Sequence, residues 1–381
     1  MASAELQMVI DLLRGGPIPR DQSIADQRAG LASLSELAPP PADATYAPTE
    51  VAGRPAAGGV PASVGGGRSE CRGCKRGAPV GSPIMANAHI ELIRELFAAG
   101  IMMPSGTIAE QRKAMELSSG ALPVPDGVTV TPTNLGGRPA EWLGPAIDSG
   151  IDAGDSLVLY LHGGGYCIGS INTHRNLAGR LALACGGRVV NLEYRLAPEH
   201  PFPAAIDDVV AAYAELIELG HDPACIAIAG DSAGGGLTVA ALLAIRDSTM
   251  VMPAAGVCLS PWTDLTQSAS TWTTRADADP VVTKAGLDMM AAAYLDGGSA
   301  TDPLASPAFA DLTGLPPLLV QVGEAEVLLD DSVGLRNAAL AAGVDVTLDV
   351  WADMIHVFQA FPPGMLPESD AGLARIAAFL D

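Results

Sequence analysis

The sequence predicts an α/β protein with a mostly parallel sheet and helices on both sides. Short runs rich in Val, Ile and Leu alternate with Ala-rich stretches of helical length from about residue 128 onward, which is the pattern of a doubly wound sheet. Two glycine-rich segments, 162–166 and 230–236, each directly follow an apolar run. The 381 residues favour one main domain with additions.

Seven segments have the composition of strands. They are VTVTPT at 128, SLVLYLH at 156, RVVNLEY at 188, CIAIAG at 225, AGVCLS at 255, PLLVQVG at 317 and VDVTLDVW at 344. Helices are predicted between them, at 176–184, 204–218 and 234–245. Segments 86–122 and 267–300 fit no strand and helix alternation. Because lids over pockets are commonly built from such additions, we expect a helical cap formed by these two segments.

A partial internal repeat precedes the strands. Residues 24–56 and 108–140 are identical at 14 of 33 aligned positions, with an offset of 84 residues, so chance is a poor explanation. The second copy continues into the strand at 156, whereas the first passes into AAGGVPASVGGGRSECRGCKRGAPVGS, which cannot bury enough apolar surface to offset chain entropy. We therefore expect the folded domain at 86–381, and treat 1–85 as a truncated duplicate with a poorly ordered linker.

Composition limits the classes of partner. A formal net charge of -22 and a pI near 4.5 would repel nucleic acid and anionic membrane surfaces. No apolar run reaches 18 residues, and the first residues carry Glu and Asp where a signal peptide has Lys or Arg. We expect a cytoplasmic protein with no stable membrane insertion.

The cysteines indicate neither disulfides nor metal binding. Four of them, Cys167, Cys185, Cys225 and Cys258, lie in apolar stretches, as reduced core thiols do. Cys71 and Cys74 form a C-x-x-C pair inside the glycine-rich linker, without a second ligand pair. We expect no metal.

The segment Gly230-Asp231-Ser232-Ala233-Gly234 matches G-x-S-x-G. An apolar strand precedes it and an apolar helix follows, which is the context of the nucleophile elbow in the α/β-hydrolase fold. Small residues two before and two after the serine let strand and helix approach each other. The sequence therefore predicts Ser232 as a nucleophile.

A second motif supplies candidate oxyanion donors. His162-Gly163-Gly164-Gly165-Tyr166 ends the strand SLVLYLH, and consecutive glycines let backbone N–H groups turn toward a developing negative charge. The predicted donors are the N–H groups of Gly164, Gly165 and Ala233. Both motifs end strands on the same edge of a parallel sheet, where such folds bind ligands.

The order of the triad in this fold is serine, acid, histidine. Five of the six histidines precede Ser232 in the chain: His89, His162, His174, His200 and His221. The remaining one, His356, follows the strand VDVTLDVW in a loop. His356 is therefore the candidate general base.

The acid is expected in the loop after PLLVQVG, where it would orient the imidazole. Glu326 and Asp330 compete for this role, with Glu324 and Asp331 nearby. Asp330 would already lie on the following helix, about one turn further from the strand end. The position favours Glu326 and leaves Asp330 open.

These residues resemble the hormone-sensitive-lipase-like esterases, bacterial family IV of the α/β-hydrolases. The resemblance covers about residue 88 to the end. It rests on HGGGY at 162, YRLAPEHPFPAA at 194, GDSAGG at 230, SPWTDL at 260 and the His356 loop.

The resemblance implies eight strands, a lid from N-terminal helices and an insertion after SPWTDL, no cofactor, and hydrolysis of short to medium acyl esters through an acyl-enzyme. Members occur as monomers and homodimers. They usually carry D-P-L where this chain has Glu326-Val327-Leu328, so the acid is a departure; relatives with Glu there also look competent. Asp231 is expected to be a structural hydrogen-bonding group, and Tyr194, Arg195 and Glu199 scaffold around the site.

Two other functions use the same fold. An amidase or lactonase would share the triad, because leaving-group preference depends on the shape of the pocket. A non-catalytic ligand receptor would be marked by loss of the triad histidine, and His356 is present.

Overall fold

A computed structural model describes residues 88–98, 106–145 and 156–381. The predicted duplicate and linker at 1–85, with Cys71 and Cys74, lie outside the described residues. All described residues lie within 86–381, the segment that the sequence predicts to be folded.

The described residues form one eight-stranded sheet in the order β1-β2-β4-β3-β5-β6-β7-β8. Strand β2 runs antiparallel to both of its neighbours, and the pairs from β4 to β8 are parallel. The strands are β1 Thr129–Leu135, β2 Arg138–Gly144, β3 Leu157–Leu161, β4 Arg188–Leu192, β5 Ile226–Asp231, β6 Ala255–Leu259, β7 Leu318–Gly323 and β8 Val346–Trp351. The predicted fold class is confirmed.

Helices connect the strands and extend both ends of the described domain. They are α1 Ala88–Ala98, α2 Ile108–Ser118, α3 Ile171–Cys185, α4 Ala204–Glu218, α5 Ala233–Asp247, α6 Thr271–Thr274, α7 Lys284–Leu295, α8 Leu329–Ala341 and α9 Glu368–Leu380. The prediction for α4 matches the observed bounds. Helix α3 begins five residues before its predicted start, because the Ser170 hydroxyl accepts hydrogen bonds from the N–H groups of Asn172 and Thr173 in a capping box.

Strand β2 is the one strand that residue pattern alone missed. It contains Pro139 and Glu141, both of which are depleted in strands. Glu141 is 2% exposed and binds Arg175 at 2.9 Å and the side chain of Asn191 at 3.1 Å. These long-range partners satisfy the buried carboxylate and are not visible in the local sequence.

The two faces of the sheet pack against separate groups of helices. In β3, Leu157, Leu159 and Leu161 join the core that contains α4 and α5. Val158 and Tyr160 join the core on the other side with α3 and α9. Successive side chains of a strand point to opposite faces, so a strand that is buried on both sides is a continuous apolar run.

The two segments that fitted no alternation contain α1 and α2, and α6 and α7. Arg112 on α2 joins the first of them to the main domain: it donates to the carbonyl oxygens of Cys167 at 2.6 Å and Ala197 at 2.8 Å. It also forms a two-bond pair with Glu199. Arg112 therefore joins the first segment to two loops at the sheet edge.

The sequence also predicts no membrane-spanning helix, no disulfide and no metal site. Among the described residues no helix is long and apolar enough to cross a membrane. In the same residues, the four cysteines Cys167, Cys185, Cys225 and Cys258 are free. No group of three His, Cys, Asp or Glu side chains in the described ranges is arranged to hold a metal ion.

Candidate active site

Ser232 lies on the sharp turn between β5 and α5. Its backbone has φ 55° and ψ -120°, which L-residues rarely adopt. Its N–H donates to the carbonyl oxygen of Leu259 at 2.7 Å, and its own carbonyl oxygen accepts from the N–H groups of Trp262 at 3.0 Å and Gly236 at 3.1 Å. Neighbouring strands and the helix therefore hold the strained residue in place, as is typical of functional sites.

The two glycines of the elbow are required by close backbone approach. A Cβ on Gly230 would collide with the carbonyl oxygen of Gly234, and a Cβ on Gly234 would collide with the carbonyl oxygen of Leu161. Backbone atoms cannot move aside as a flexible side chain can. The small-residue spacing of the motif thus has the steric basis that the sequence predicts.

Glu326 and His356 meet at the ends of the neighbouring strands β7 and β8. Glu326 Oε2 lies 2.8 Å from His356 Nδ1. Glu326 is 0% exposed and His356 is 6% exposed, so water screens this contact weakly. The loops that carry them are joined where the Ala325 N–H donates to the carbonyl oxygen of Met354 at 3.0 Å.

The other carboxylate oxygen of Glu326 is also occupied. Its Oε1 accepts hydrogen bonds from the Ser260 hydroxyl at 2.7 Å and from the Gly323 N–H at 2.6 Å. A carboxylate with both oxygens hydrogen-bonded has a defined orientation, so Oε2 is held toward the imidazole.

Asp330 faces a different part of the molecule. It lies on α8, and its Oδ2 accepts hydrogen bonds from the Ser270 hydroxyl at 2.7 Å and from the Thr271 N–H at 3.2 Å. Of the two acids that the sequence left in competition, Glu326 contacts His356, whereas Asp330 contacts the second additional segment, 267–300.

Burial alone would lower the pKa of His356, because it disfavours the charged imidazolium. The hydrogen bond and negative charge of Glu326 oppose burial, and the charges of Asp279 and Asp231 add to them, so the pKa lies above its usual value of 6.5. Asp231 directly precedes Ser232. The negative charge of Asp231, next to the proposed nucleophile, therefore helps to stabilise the protonated form of His356.

The loop after β3 carries the candidate oxyanion donors. Gly164 has φ 116° and Gly165 has φ 59°, and a Cβ on Gly164 would collide with the carbonyl oxygen of Ile168. The three predicted donors, the N–H groups of Gly164, Gly165 and Ala233, make no internal hydrogen bond within the part of the chain that the structure describes.

The side chain of Asp231 binds the loop after β3 and two neighbouring side chains. Its Oδ1 accepts from the Tyr160 hydroxyl at 2.7 Å and from the Gly163 N–H at 3.0 Å, and its Oδ2 lies 3.5 Å from His174 Nε2. Burial raises the pKa of Asp231, but His174 and Tyr160 outweigh it, so the pKa is lowered. The expected structural role of Asp231 agrees with these contacts.

The three predicted scaffold residues differ in their surroundings. The buried Tyr194 hydroxyl donates to the carbonyl oxygen of His162 at 2.7 Å. Arg195 pairs with Asp208 at 2.7 Å. Glu199 pairs with Arg112 at 2.7 Å, and its side chain is 57% exposed. The partner of Glu199, Arg112, lies on α2, and the sequence pattern did not predict a contact between these two residues.

Sequence reasoning missed two polar side chains at this site. Ser260 is the last residue of the predicted strand AGVCLS, at the carboxyl edge of the sheet, and that position is the signal that could have found it. Asp279 lies in the second additional segment, is 6% exposed, and accepts from the N–H groups of Val282 and Val327 at 3.0 Å each. No local pattern marks Asp279.

Comparisons with known proteins identify the fold and the family. A family model for the α/β hydrolase fold matches residues 158–360. An acetyl-hydrolase of Streptomyces hygroscopicus is 46% identical over 299 residues, which cover 78% of this chain and 97% of that protein.

Solved structures of esterases are also similar to this chain. An esterase from the bacterial hormone-sensitive lipase family is 48% identical with a TM-score of 0.72, covering 77% of this chain and 97% of its own. EstE5, in crystals soaked by p-nitrophenyl butyrate, is 45% identical with a TM-score of 0.72, covering 77% of this chain and 98% of its own. The chain therefore belongs to the α/β-hydrolase superfamily, and within it to the hormone-sensitive-lipase-like carboxylesterases of bacterial family IV that its motifs resemble.

Proposed function

We propose that the protein hydrolyses carboxylic esters with short to medium acyl chains, with Ser232 as nucleophile, His356 as general base and Glu326 as the triad acid. The observation that carries the proposal is the 2.8 Å contact between Glu326 Oε2 and His356 Nδ1, on the sheet edge that also holds the elbow. The name of the Streptomyces relative, an acetyl-hydrolase, supports ester hydrolysis of a short acyl group.

The reaction proceeds through an acyl-enzyme. Ser232 Oγ attacks the ester carbonyl while His356 accepts its proton at Nε2, because Nδ1 is hydrogen-bonded to Glu326. The carboxylate stabilises the imidazolium that forms. His356 then gives the proton to the leaving alcohol, and a water molecule repeats the cycle on the acyl group.

Negative charge on the carbonyl oxygen is stabilised by the N–H groups of Gly164, Gly165 and Ala233. These donors make no other hydrogen bond among the described residues, so no internal bond has to break as the charge develops. Donors that are oriented before the reaction contribute more than donors that must reorganise.

We propose that 86–122 and 267–300 form the cap over this site. Two contacts support the cap: Arg112 binds the carbonyl oxygen that follows the oxyanion loop at Cys167, and Asp279 accepts from the N–H next to Glu326, at Val327. Each segment therefore contacts a loop that carries proposed catalytic groups.

Acyl-chain preference tests the substrate class. We expect kcat/KM on p-nitrophenyl esters to be highest for acyl chains of about two to six carbons and to fall at least tenfold by about ten carbons, since each lost methylene contact or forced displacement is worth about 1 kcal/mol or more. A short acyl group is supported by the name of the Streptomyces relative, and Met290 on α7 packs closely on Gly165 of the proposed oxyanion loop. A steady rise toward long chains contradicts the proposed class.

The same panel tests the proposed domain boundary at residue 86. A chain that lacks 1–85 is expected to show the same acyl profile and the same kcat as the full chain, as an inert N-terminal segment requires. Higher activity or a changed chain preference in the shortened protein would indicate that the duplicate competes with 108–140 for its docking surface. Cytoplasmic location, and a monomeric or homodimeric state, stay predictions.

The rate should also depend on pH with a known sign. General base catalysis needs neutral His356, whose pKa is raised above 6.5. We therefore expect kcat/KM to fall tenfold per unit as the pH drops below that raised value, with the half-maximal rate above pH 6.5.

Asp331 supplies the control for this pH profile, because burial raises its pKa to about 7. Its Oδ2 accepts from the N–H groups of Thr263 and Asp264 at 2.8 and 2.9 Å, which an Asn oxygen could also do. Asp331→Asn should therefore leave the acid limb in place. Movement of the limb in that variant would assign it to Asp331 instead of His356.

A further inference from the structure

The turn that follows β6 contacts all three regions of the proposed triad. On one side it holds the nucleophile: the carbonyl oxygen of Leu259 accepts from the Ser232 N–H at 2.7 Å, and the Trp262 N–H donates to the carbonyl oxygen of Ser232 at 3.0 Å. Between these two residues lies Ser260, the first residue of the SPWTDL motif, to which the proposed mechanism gives no role.

The Ser260 side chain points to the other two triad members. Its hydroxyl donates to Glu326 Oε1 at 2.7 Å and accepts from the N–H of Val357, the residue after His356, at 3.0 Å. A serine hydroxyl has one proton to donate, and here that proton is used on the acid. Ser260 is 0% exposed, so in the absence of the hydroxyl bulk water could not freely replace either bond.

The backbone of Ser260 is held as firmly as its side chain. It has φ 47°, in the left-handed region that disfavours side chains with a Cβ. Its N–H donates to the carbonyl oxygen of Gln321 in β7 at 2.7 Å. Glycine would adopt the same backbone conformation with less strain. A buried serine at this position therefore indicates a role for its side chain.

We propose that Ser260 is a positioning residue of the active site: its hydroxyl orients Glu326 so that Oε2 faces His356 Nδ1, and it holds the base loop through the Val357 N–H, while the flanking backbone holds Ser232. This proposal rests on the proposed function. Ser260 is distinct from the catalytic residues because it acts on the reaction only through Glu326 and His356.

Ser260→Ala is expected to lower kcat on p-nitrophenyl butyrate by about 10- to 100-fold and to leave KM within about twofold. Small misplacement of catalytic groups costs rates of this size, and the hydroxyl makes no contact that would bind the ester. A loss that appears in KM alone, with kcat unchanged, overturns the proposal.

The pH profile separates positioning from a general loss of structure. Glu326, Asp279 and Asp231 are the charged groups that act on His356, and the Ser260 proton offsets part of the Glu326 charge. Without that proton the imidazolium is stabilised more strongly. The acid limb of kcat/KM in Ser260→Ala should therefore move to higher pH by roughly half a unit. An unmoved limb with lowered kcat overturns the electrostatic part of the assignment.

Two variants serve as controls. Ser260→Gly also lacks the hydroxyl but accepts the positive φ without strain, so it should fold at least as well as Ser260→Ala and show the same loss of kcat. Ser306 is another 0% exposed serine whose hydroxyl joins two segments, at Leu265 N and Ala300 O. Ser306→Ala should lower Tm without moving the acid limb. Wild-type kcat in Ser260→Gly would show that catalysis does not need the hydroxyl, and would overturn its proposed role.

The experiment distinguishes failure of this inference from failure of the proposed function. If the wild type hydrolyses p-nitrophenyl butyrate and loses that activity on Ser232→Ala, the function stands, and Ser260→Ala with wild-type kcat and pH profile then rejects only the role of Ser260. If Ser232→Ala is as active as the wild type, the proposed function itself fails.

Discussion

Ser232→Ala should lower kcat on p-nitrophenyl butyrate by about 10⁵- to 10⁶-fold while the protein stays folded. Removing the nucleophile of a triad costs about this much, because the remaining groups cannot form the acyl-enzyme. The elbow does not depend on the hydroxyl: as the N-cap of α5, Ser232 makes no side-chain capping bond, and alanine meets the same positive φ that serine already has. Tm should therefore change little.

A second serine at the other end of α5 provides the matched control. Ser248 is the C-cap residue of that helix, and its hydroxyl donates to the carbonyl oxygen of Ile245 at 2.7 Å. Ser248→Ala should keep wild-type kcat and KM. Ser232→Ala with a rate within about tenfold of the wild type would remove Ser232 from the mechanism.

Glu326→Gln should lower kcat by about 10³- to 10⁴-fold, the usual cost of a triad with its histidine in the wrong tautomer. Ser260 and Gly323 donate to Oε1, so the amide oxygen of Gln would occupy that position and its NH₂ group would face His356 Nδ1. That NH₂ group can only donate a hydrogen bond. Nδ1 must then be unprotonated in order to accept it, so the imidazole proton lies on Nε2. His356 would then be unable to accept the proton of Ser232.

The loss of negative charge should also appear in the pH profile of this variant. Glu326 is the main group that raises the pKa of His356. In Glu326→Gln the residual activity should therefore have its acid limb at lower pH than the wild type. The two effects, lower kcat and a shifted limb, arise from the same contact and should occur together.

Asp330→Asn is the control for the competing acid. Asp330 binds Ser270 and Thr271 through Oδ2, and an Asn oxygen could keep both bonds, so kcat should stay within about threefold of the wild type. The opposite result, with Asp330→Asn inactive and Glu326→Gln active, would make Asp330 the acid and leave the 2.8 Å contact of Glu326 without a catalytic role.

Much of the architecture was predictable from local pattern. The seven predicted strands are all present, and the helix predicted at 204–218 has those bounds. Strand β2 escaped because Glu141 interrupts its apolar pattern and is neutralised by Arg175, which lies on another element. A residue whose burial depends on a distant partner cannot be recognised from its neighbours in the sequence.

The same division applies to the site. The Gly230–Gly234 elbow, the glycine triplet and the histidine in the loop after β8 follow from short-range rules, since they depend on chain turns and strand ends that a few adjacent residues specify. Which acid meets the imidazole is a question of how two loops pack. Its answer, Glu326 against His356 with Ser260 on the far oxygen, joins residues 30 and 66 positions apart. Only the folded sheet brings such residues within hydrogen-bonding distance, because parallel strands align their carboxyl ends at one edge whatever their separation along the chain.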